Sequence, residues 1–339
     1  MARGKGVDIV MGIKKATTWG TSVVVGAANL GFRAKSWTYD ENIGPGQDDS
    51  FNADAFRRES VTIRERRTVS GTFTVDAKYQ GLTKLVALFF GTAGVPTLTA
   101  GYYVHTILVK DDLDGIFFSL AWFDSVKTIE IDSAKFKSMK ISIKAGMVVE
   151  MEFAWEGRRL QYDTATNANL TSLTEPSTIT RVQSTAAIGT YKIAVQAGSL
   201  TAQAINSAEV TFTRGIDNGD LDFTSTDAPD RSEMVAGRMD CTGTMTIPYA
   251  SSTLAAAAQS GALYKFQLDH VLTSGQTEFG IWLPSVQIAK ATMAPGSSYG
   301  AIPQVIDFIA NKASSTPSEF TQAVPYFRNV NSDSADPLA

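Results

Sequence analysis

The side chains able to do acid–base or metal chemistry are few. His105 and His270 are the only histidines, set in "YVHTIL" and "QLDHVL", and no second His, Cys or acid stands at a spacing that would make a metal or catalytic site. Their apolar, alternating surroundings predict structural histidines in strands. Glu150 and Glu152 lie two residues apart in "GMVVEMEFAWEG", the separation of a possible acid–base pair. There Met147, Val149, Met151, Phe153 and Trp155 alternate with Val148, Glu150, Glu152 and Ala154, so both acids belong to the wet face of a strand, without a histidine beside them. "DDLDG", Asp111 to Gly115, has the start of a calcium loop but not its remaining ligands or terminal Glu, and predicts a turn. The early "GKG" has no strand before it and no helix start after it, as a phosphate loop needs, and no G-x-S-x-G nucleophile motif occurs. The single cysteine, Cys241, excludes a disulfide framework within the chain and predicts a small buried residue. The expectation is a non-enzymatic chain with no cofactor and no metal.

What remains is charge arranged for contact. Two long polar stretches, residues 40–60 and 214–237, each precede a strand, and unstructured loops of that length usually serve a purpose. Asn42, Gly44, Asp48, Asp49, Phe51, Arg57 and Arg58 fall in the first, followed by Arg64, Arg66 and Arg67. Asp217, Asp220, Asp222, Asp227, Asp230 and Glu233 dominate the second over Arg214 and Arg231. Residues 1–165 carry 21 Lys and Arg against 19 acids, and residues 166–339 carry 9 against 15. One reading is solvated surface; the other is a basic segment meeting the acidic segment of a neighbouring unit. Neither half has the clustered basic face of a nucleic-acid binder.

The elements that carry these loops are written twice. "RRTVSGTFTV", Arg66 to Val75, overlays "RMDCTGTMTI", Arg238 to Ile247, and the same register sets Gly71 on Gly243 and Leu82 on Leu254. Each strand leads to a short helix: Leu82, Leu85, Val86 and Phe89 before Gly91, then Leu254, Ala257 and Ala258 before Gly261. Pro248 closes the second strand. Further strands are expected at "YYVHTILV", "FFSLAWF", "KTIEI" and "KSMKISIKA", then at "LYKFQLDHV", "EFGIWLP" and "QVIDFIA". Many short strands with one helix per copy predict a mainly β chain of two antiparallel sandwich or barrel domains, each with one short flanking α-helix. At 339 residues and 44% apolar, the chain has material for two cores. The expected divisions are residues 1–165 with an N-terminal arm, a linker at 166–180, a second domain at 181–315 and a C-terminal tail at 316–339, polar and mobile from Asn329 unless a neighbouring chain orders it.

No signal-peptide-length apolar stretch follows the basic opening, and nothing approaches the roughly 20 apolar residues that cross a bilayer. The expectation is a soluble chain made in a cytoplasm, so the sequon at Asn169 is discounted.

"KKATTWGT" from Lys14 to Thr21, then "SWTYDE", a long loop, "VSGTFTV" leading into "YQGLTKLVALFFG", and a second round through "CTGTMTI" together resemble the tail tube proteins of long-tailed bacteriophages, over most of residues 10–312. The resemblance implies a β-sandwich tube domain whose sheets join around a ring, with rings stacked around a tape-measure protein and capped by tail terminator and distal tail proteins. It implies virion location after assembly in the host cytoplasm, a non-contractile tail, and double-stranded DNA passing without sequence readout or membrane binding by this chain. Two copies imply three chains per pseudo-sixfold ring, with six chains as the alternative. It points to residues 40–60 as the first ring-stacking loop and 214–237 as the second. Low affinity for phosphate predicts a neutral or negative inner wall. The alternatives are a carbohydrate-binding or adhesive β module, for which Trp37, Trp122, Trp155 and Trp282 would have to be exposed, and another tube-like part such as a distal tail or head-completion protein.

Overall fold

The repeated ten-residue segments become β4 (Ile63–Asp76) and β16 (Ala236–Pro248) of a computed structural model that describes residues 9–26, 31–46, 63–92, 95–168, 170, 173, 175, 180–217, 221–222, 230–249, 252–273, 276–293 and 302–338. Around β4 the chain forms β1 (Val10–Ala16), β2 (Gly31–Arg33), β3 (Ser36–Gly46), α1 (Thr83–Phe90), β5 (Thr97–Thr99), β6 (Tyr102–Leu108), β7 (Phe117–Phe123), β8 (Thr128–Lys144), β9 (Glu150–Gly157) and β10 (Leu160–Tyr162). Around β16 it forms β11 (Gly189–Val195), β12 (Thr201–Ala202), β13 (Ser207–Ile216), β14 (Leu221–Asp222), β15 (Asp230–Arg231), α2 (Thr253–Ser260), β17 (Leu263–Thr273), β18 (Thr277–Met293), β19 (Pro303–Asn311) and β20 (Tyr326–Asn331). The chain is mainly β and its sheet is antiparallel, as the alternation predicts.

Hydrogen-bonded neighbours follow one order twice. The first half runs β1-β7-β8-β9-β4-β3 and the second β11-β17-β18-β19-β16-β13. Irregularities recur as well. The β7–β8 register slips between Phe118 and Leu120, and β17–β18 between Tyr264 and Phe266; β8–β9 slips between Phe136 and Ser138, and β18–β19 between Ile288 and Lys290. Such bulges bend a strand and raise its twist. They let the two longest strands, β8 and β18, pass from one layer of the continuous sheet to the other.

The halves are joined by β13, which pairs with β16 on one side and with the second half of β8 on the other. One wall of eight strands results, in the order β3-β4-β9-β8-β13-β16-β19-β18. On its core face lies a second layer: β2-β1-β7 with the first part of β8, and β12-β11-β17 with the first part of β18. Aromatic side chains fill the space between, with Phe136 against both Phe118 and Phe153, and Phe266 against Phe308.

Both helices end as predicted. Gly91 and Gly261 take the left-handed conformation that L side chains avoid, and their N–H groups donate to the Ala87 and Ala257 carbonyls at 2.7 and 2.9 Å. The sequence register does not survive into the helix, however. Leu82 precedes α1 as its N-cap, whereas Leu254 is the second residue of α2, because the second copy reaches its helix two residues sooner.

"KTIEI" and "KSMKISIKA" are not two strands but one, β8. The polar residues between them are buried in strand conformation: Asp132 accepts from Arg158 Nη1 and Arg159 Nε, both at 2.8 Å. The C-terminal residues differ more from expectation. Rather than a mobile tail, β20 lies between β18 and β6, with Phe327 and Val330 buried, and so stitches the second half to a hairpin of the first.

Candidate assembly surface

The repeated glycine holds each half of the wall in shape. Gly71 lies opposite Trp155 on β9, and Gly243 opposite Phe308 on β19. A Cβ on Gly71 would come within 2.4 Å of both Thr38 O and Trp155 Cζ2; one on Gly243 would come within 2.3 Å of Phe308 Cζ and 2.5 Å of Glu209 O. An aromatic ring therefore covers each glycine, and the "SGT" and "TGT" segments repeat because the same close approach recurs.

The opposite face of the wall carries no covering element among the described residues. Its rows are Thr and Ser on β4 and β16 with Lys and Glu on the strands between. Lys140 of β8 sits 3.6 Å from Glu152 and 3.8 Å from Glu209, while Lys137 donates to Glu156 at 2.8 Å. Thr38 and Thr72 share a hydroxyl hydrogen bond at 2.8 Å, and Thr244 donates to Asp307 at 2.9 Å. Every one of these lysines is paired with an acid. Glu150 and Glu152 belong to this face, paired with Lys35 and Lys140.

Where the two halves meet, the seam is dry on its core side. Val210 and Ile141 face each other at 0% exposure, Phe212 and Met139 are equally buried, and Phe212 packs edge-on against Phe90 of α1 at 5.1 Å. Two buried cations clamp the halves reciprocally. Lys135 of β8 donates to Met234 O at 2.7 Å, Leu113 O at 3.0 Å and Glu233 Oε1 at 2.8 Å. Arg214 of β13, which the sequence places among exposed loop charges, is fully buried and donates to Lys110 O at 2.7 Å. Carbonyl partners, and Glu233 for Lys135, offset the cost of burying these side chains.

The wall ends in two unpaired edges. Among the described residues β3 pairs only with β4, and β18 beyond Ile288 pairs only with β19. Of the sequence candidates, Asn42 is exposed at the β3 edge, and Gly44 falls at a register slip opposite β4, where Arg64 and Arg66 lie. Asp217 is exposed, and its N–H donates to Val235 O at 2.9 Å; Asp222 and Asp230 face each other in the β14–β15 ladder. Asp48, Asp49, Phe51, Arg57, Arg58, Asp220 and Asp227 lie outside the described residues. The reading of the sequence missed β13 altogether, although Ala208, Val210 and Phe212 alternate with Glu209 and Thr211 in the pattern of a half-buried strand.

The titratable groups in the interior are tied to their neighbours. Ser184 Oγ, Tyr191 OH and His270 Nε2 form a chain with links of 2.6 and 3.0 Å, but all three side chains are buried, and burial pushes His270 down to about 4. Beside it, burial pushes Asp269 up to about 6, against donors from Gln267 and from Trp282 Nε1. His105 Nε2 lies 3.0 Å from Asp333 O. Burial raises the Cys241 thiol well above its ordinary range, so it is not a poised nucleophile. "DDLDG" is a turn in which Asp114 N–H donates to Asp112 at 2.8 Å, and among the described residues no His, Cys, Asp and Glu cluster suits a metal ion. Trp122 and Trp155 are buried, and Trp37 and Trp282 half-buried.

The chain is a mainly β protein with a long antiparallel wall that, among the described residues, has two edges without a second partner strand. The model of the phage tail tube protein family matches residues 6–317, and the chain belongs to that family, which is structural and not enzymatic. No curated protein matches it.

Proposed function

We propose that this chain is a tail tube subunit in which two tandem tube domains form consecutive staves of a closed cylinder. Three chains make a pseudo-sixfold ring, and rings stack around a tape-measure protein into a conduit for DNA. The observation that carries this reading is the eight-strand wall itself: one strand order written twice, continuous across the internal seam, and open at two unlike edges. Unlike edges join head to tail, and a head-to-tail contact that closes gives a ring. Closure also removes the unpaired backbone groups that make a free edge prone to uncontrolled pairing.

The bare face lines the channel, because the helices and the second layer occupy the core side and would otherwise fill the bore. Twenty-four strands at about 4.8 Å spacing and a tilt of about 40° give a wall roughly 48 Å across at the backbone. Six chains would double that width, which favours three. A lining of threonine in which Lys137 and Lys140 are held by acids offers passing phosphates fewer free cations than an unpaired basic wall would. Residues 47–60 and 217–232, parts of the two polar stretches outside β3, β13 and β16, serve contact between rings, and tail terminator and distal tail proteins close the ends of the tube.

Electron microscopy of the concentrated full chain tests this reading. Hollow tubes with a regular axial ring repeat are expected. Discrete monomers at every concentration, with binding to an arrayed glycan, would instead support an adhesive module.

A further inference from the structure

The chain contains a bonded copy of a junction that its free edges repeat. From the two bare edges we infer that β3 of one chain pairs antiparallel with the end of β18 of a second copy, in the register of the internal β13–β8 seam. The inference rests on the tube reading and fixes which residues meet.

The register follows from equivalences already on the wall. Tyr39 lies opposite Gly71 as Val210 lies opposite Gly243, so β3 and β13 correspond at a displacement of 171 residues. Phe136 lies opposite Trp155 as Ile288 lies opposite Phe308, each just before a bulge, so β8 and β18 correspond at 152. Internally, Val210 faces Ile141, Thr211 faces Lys140, Phe212 faces Met139 and Thr213 faces Ser138. Carried to the edges, Tyr39 faces Met293 of the next chain, Asp40 faces Thr292, Glu41 faces Ala291 and Asn42 faces Lys290.

Three observations support this pairing. Tyr39 and Met293 are large apolar side chains exposed at 40% and 55%, yet their internal counterparts Val210 and Ile141 are at 0%. Exposure of both at once is explained if the same neighbour covers them. Lys140 reaches Glu209 diagonally across the internal seam at 3.8 Å, and Lys290 would stand in the same diagonal relation to Asp40. Finally, α1 has seven buried residues and touches Phe212 through Phe89 and Phe90, whereas α2, which flanks the open edge, buries only Ala257. At the positions of Phe89 and Phe90, α2 carries Gln259 and Ser260, so the seam between chains is the more polar of the two. That is the usual contrast between a reversible contact and a permanent one.

Disulfide trapping in assembled tubes tests the register. Directly opposed strand residues have Cα atoms about 4.5–5.5 Å apart, inside the range a disulfide spans, and diagonal ones about 7–8 Å, outside it. The full chain carrying Asp40→Cys and Thr292→Cys is expected to give a ladder of chain multiples on a denaturing, non-reducing gel, ending at the ring number. Asp40→Cys with Lys290→Cys, one diagonal away, should link at least tenfold less. Lys140→Cys with Thr211→Cys reports the internal seam and should link within one chain. Tubes in which 140 and 211 join while 40 and 292 do not would overturn the seam alone. Native chains that form no tubes would overturn the tube reading and the seam with it. Should the double variant assemble poorly, hydrogen exchange on the native chain decides: amides of residues 38–42 and 290–293 must gain protection on assembly, and unchanged exchange at both edges refutes the pairing.

Discussion

Gly71 and Gly243 show what a single missing Cβ permits, since each lets an aromatic ring from the neighbouring strand approach its backbone closely. Gly71→Ala and Gly243→Ala should each destabilise the chain by about 1–3 kcal/mol, the usual cost of overpacking, read as a lower denaturant midpoint at unchanged slope. A second prediction concerns neighbouring residues with opposed titrations. His270 is held neutral in the fold, with its affinity for protons lowered to about 4, so its contribution is full above the unfolded value near 6.5 and is lost as pH falls from there towards 4. Over that window the loss is about 3 kcal/mol. Asp269 is raised to about 6, so its protonated form is favoured below the unfolded value near 3.8 and that advantage is lost as pH rises towards 6. Between roughly pH 4 and 6 the two slopes oppose each other. Asp269→Asn should leave a chain whose unfolding free energy climbs with pH across that window, and His270→Gln one whose unfolding free energy falls; denaturant titrations at several pH values read both. Parallel slopes in the two variants would contradict this assignment.

At the scale of elements, equivalent positions should carry unequal costs because one seam is filled and the other is open. Ile141→Ala opens a hole beneath Val210 and should cost about 2–5 kcal/mol in the isolated chain. Met293→Ala, at the corresponding place on the free edge, should stay within about 0.5 kcal/mol by the same unfolding assay. Equal losses would mean that the two edges are not counterparts. Much of this architecture could be read locally. The alternation through Phe153 and Trp155 marks β9, and both glycine stops mark the helix ends, because strand faces and caps are set by residues within a few positions. The seam could not be read that way, since β8 and β13 pair across more than 60 residues of chain and no local pattern records a distant partner. Strand β8 reads locally as two strands for a different reason. Asp132, Ser133 and Lys135 look like the polar end of a strand, and only the arginines and carbonyls around them make their burial possible. The C-terminal strand hides for the same cause: its polar flanks suggest a loose end, while its partners β6 and β18 lie far away in sequence.

In the proposed cylinder one polypeptide supplies two adjacent staves, with the internal seam fixed by aromatic packing and buried cations and the outer seam left to form on assembly. Such a division would keep each subunit intact while the proposed rings form from a modest number of contacts. In that proposal the wall is a property of the assembly, because among the described residues neither β3 nor the end of β18 finds a second partner strand within the chain. A density map of the assembled tube, at a resolution that separates strands, tests this most directly. The prediction is a continuous wall of 24 strands per ring, eight adjacent ones from each of three chains, with Thr72 and Thr244 facing the bore. A wall interrupted between chains, or one with those threonines on the outside, would contradict it.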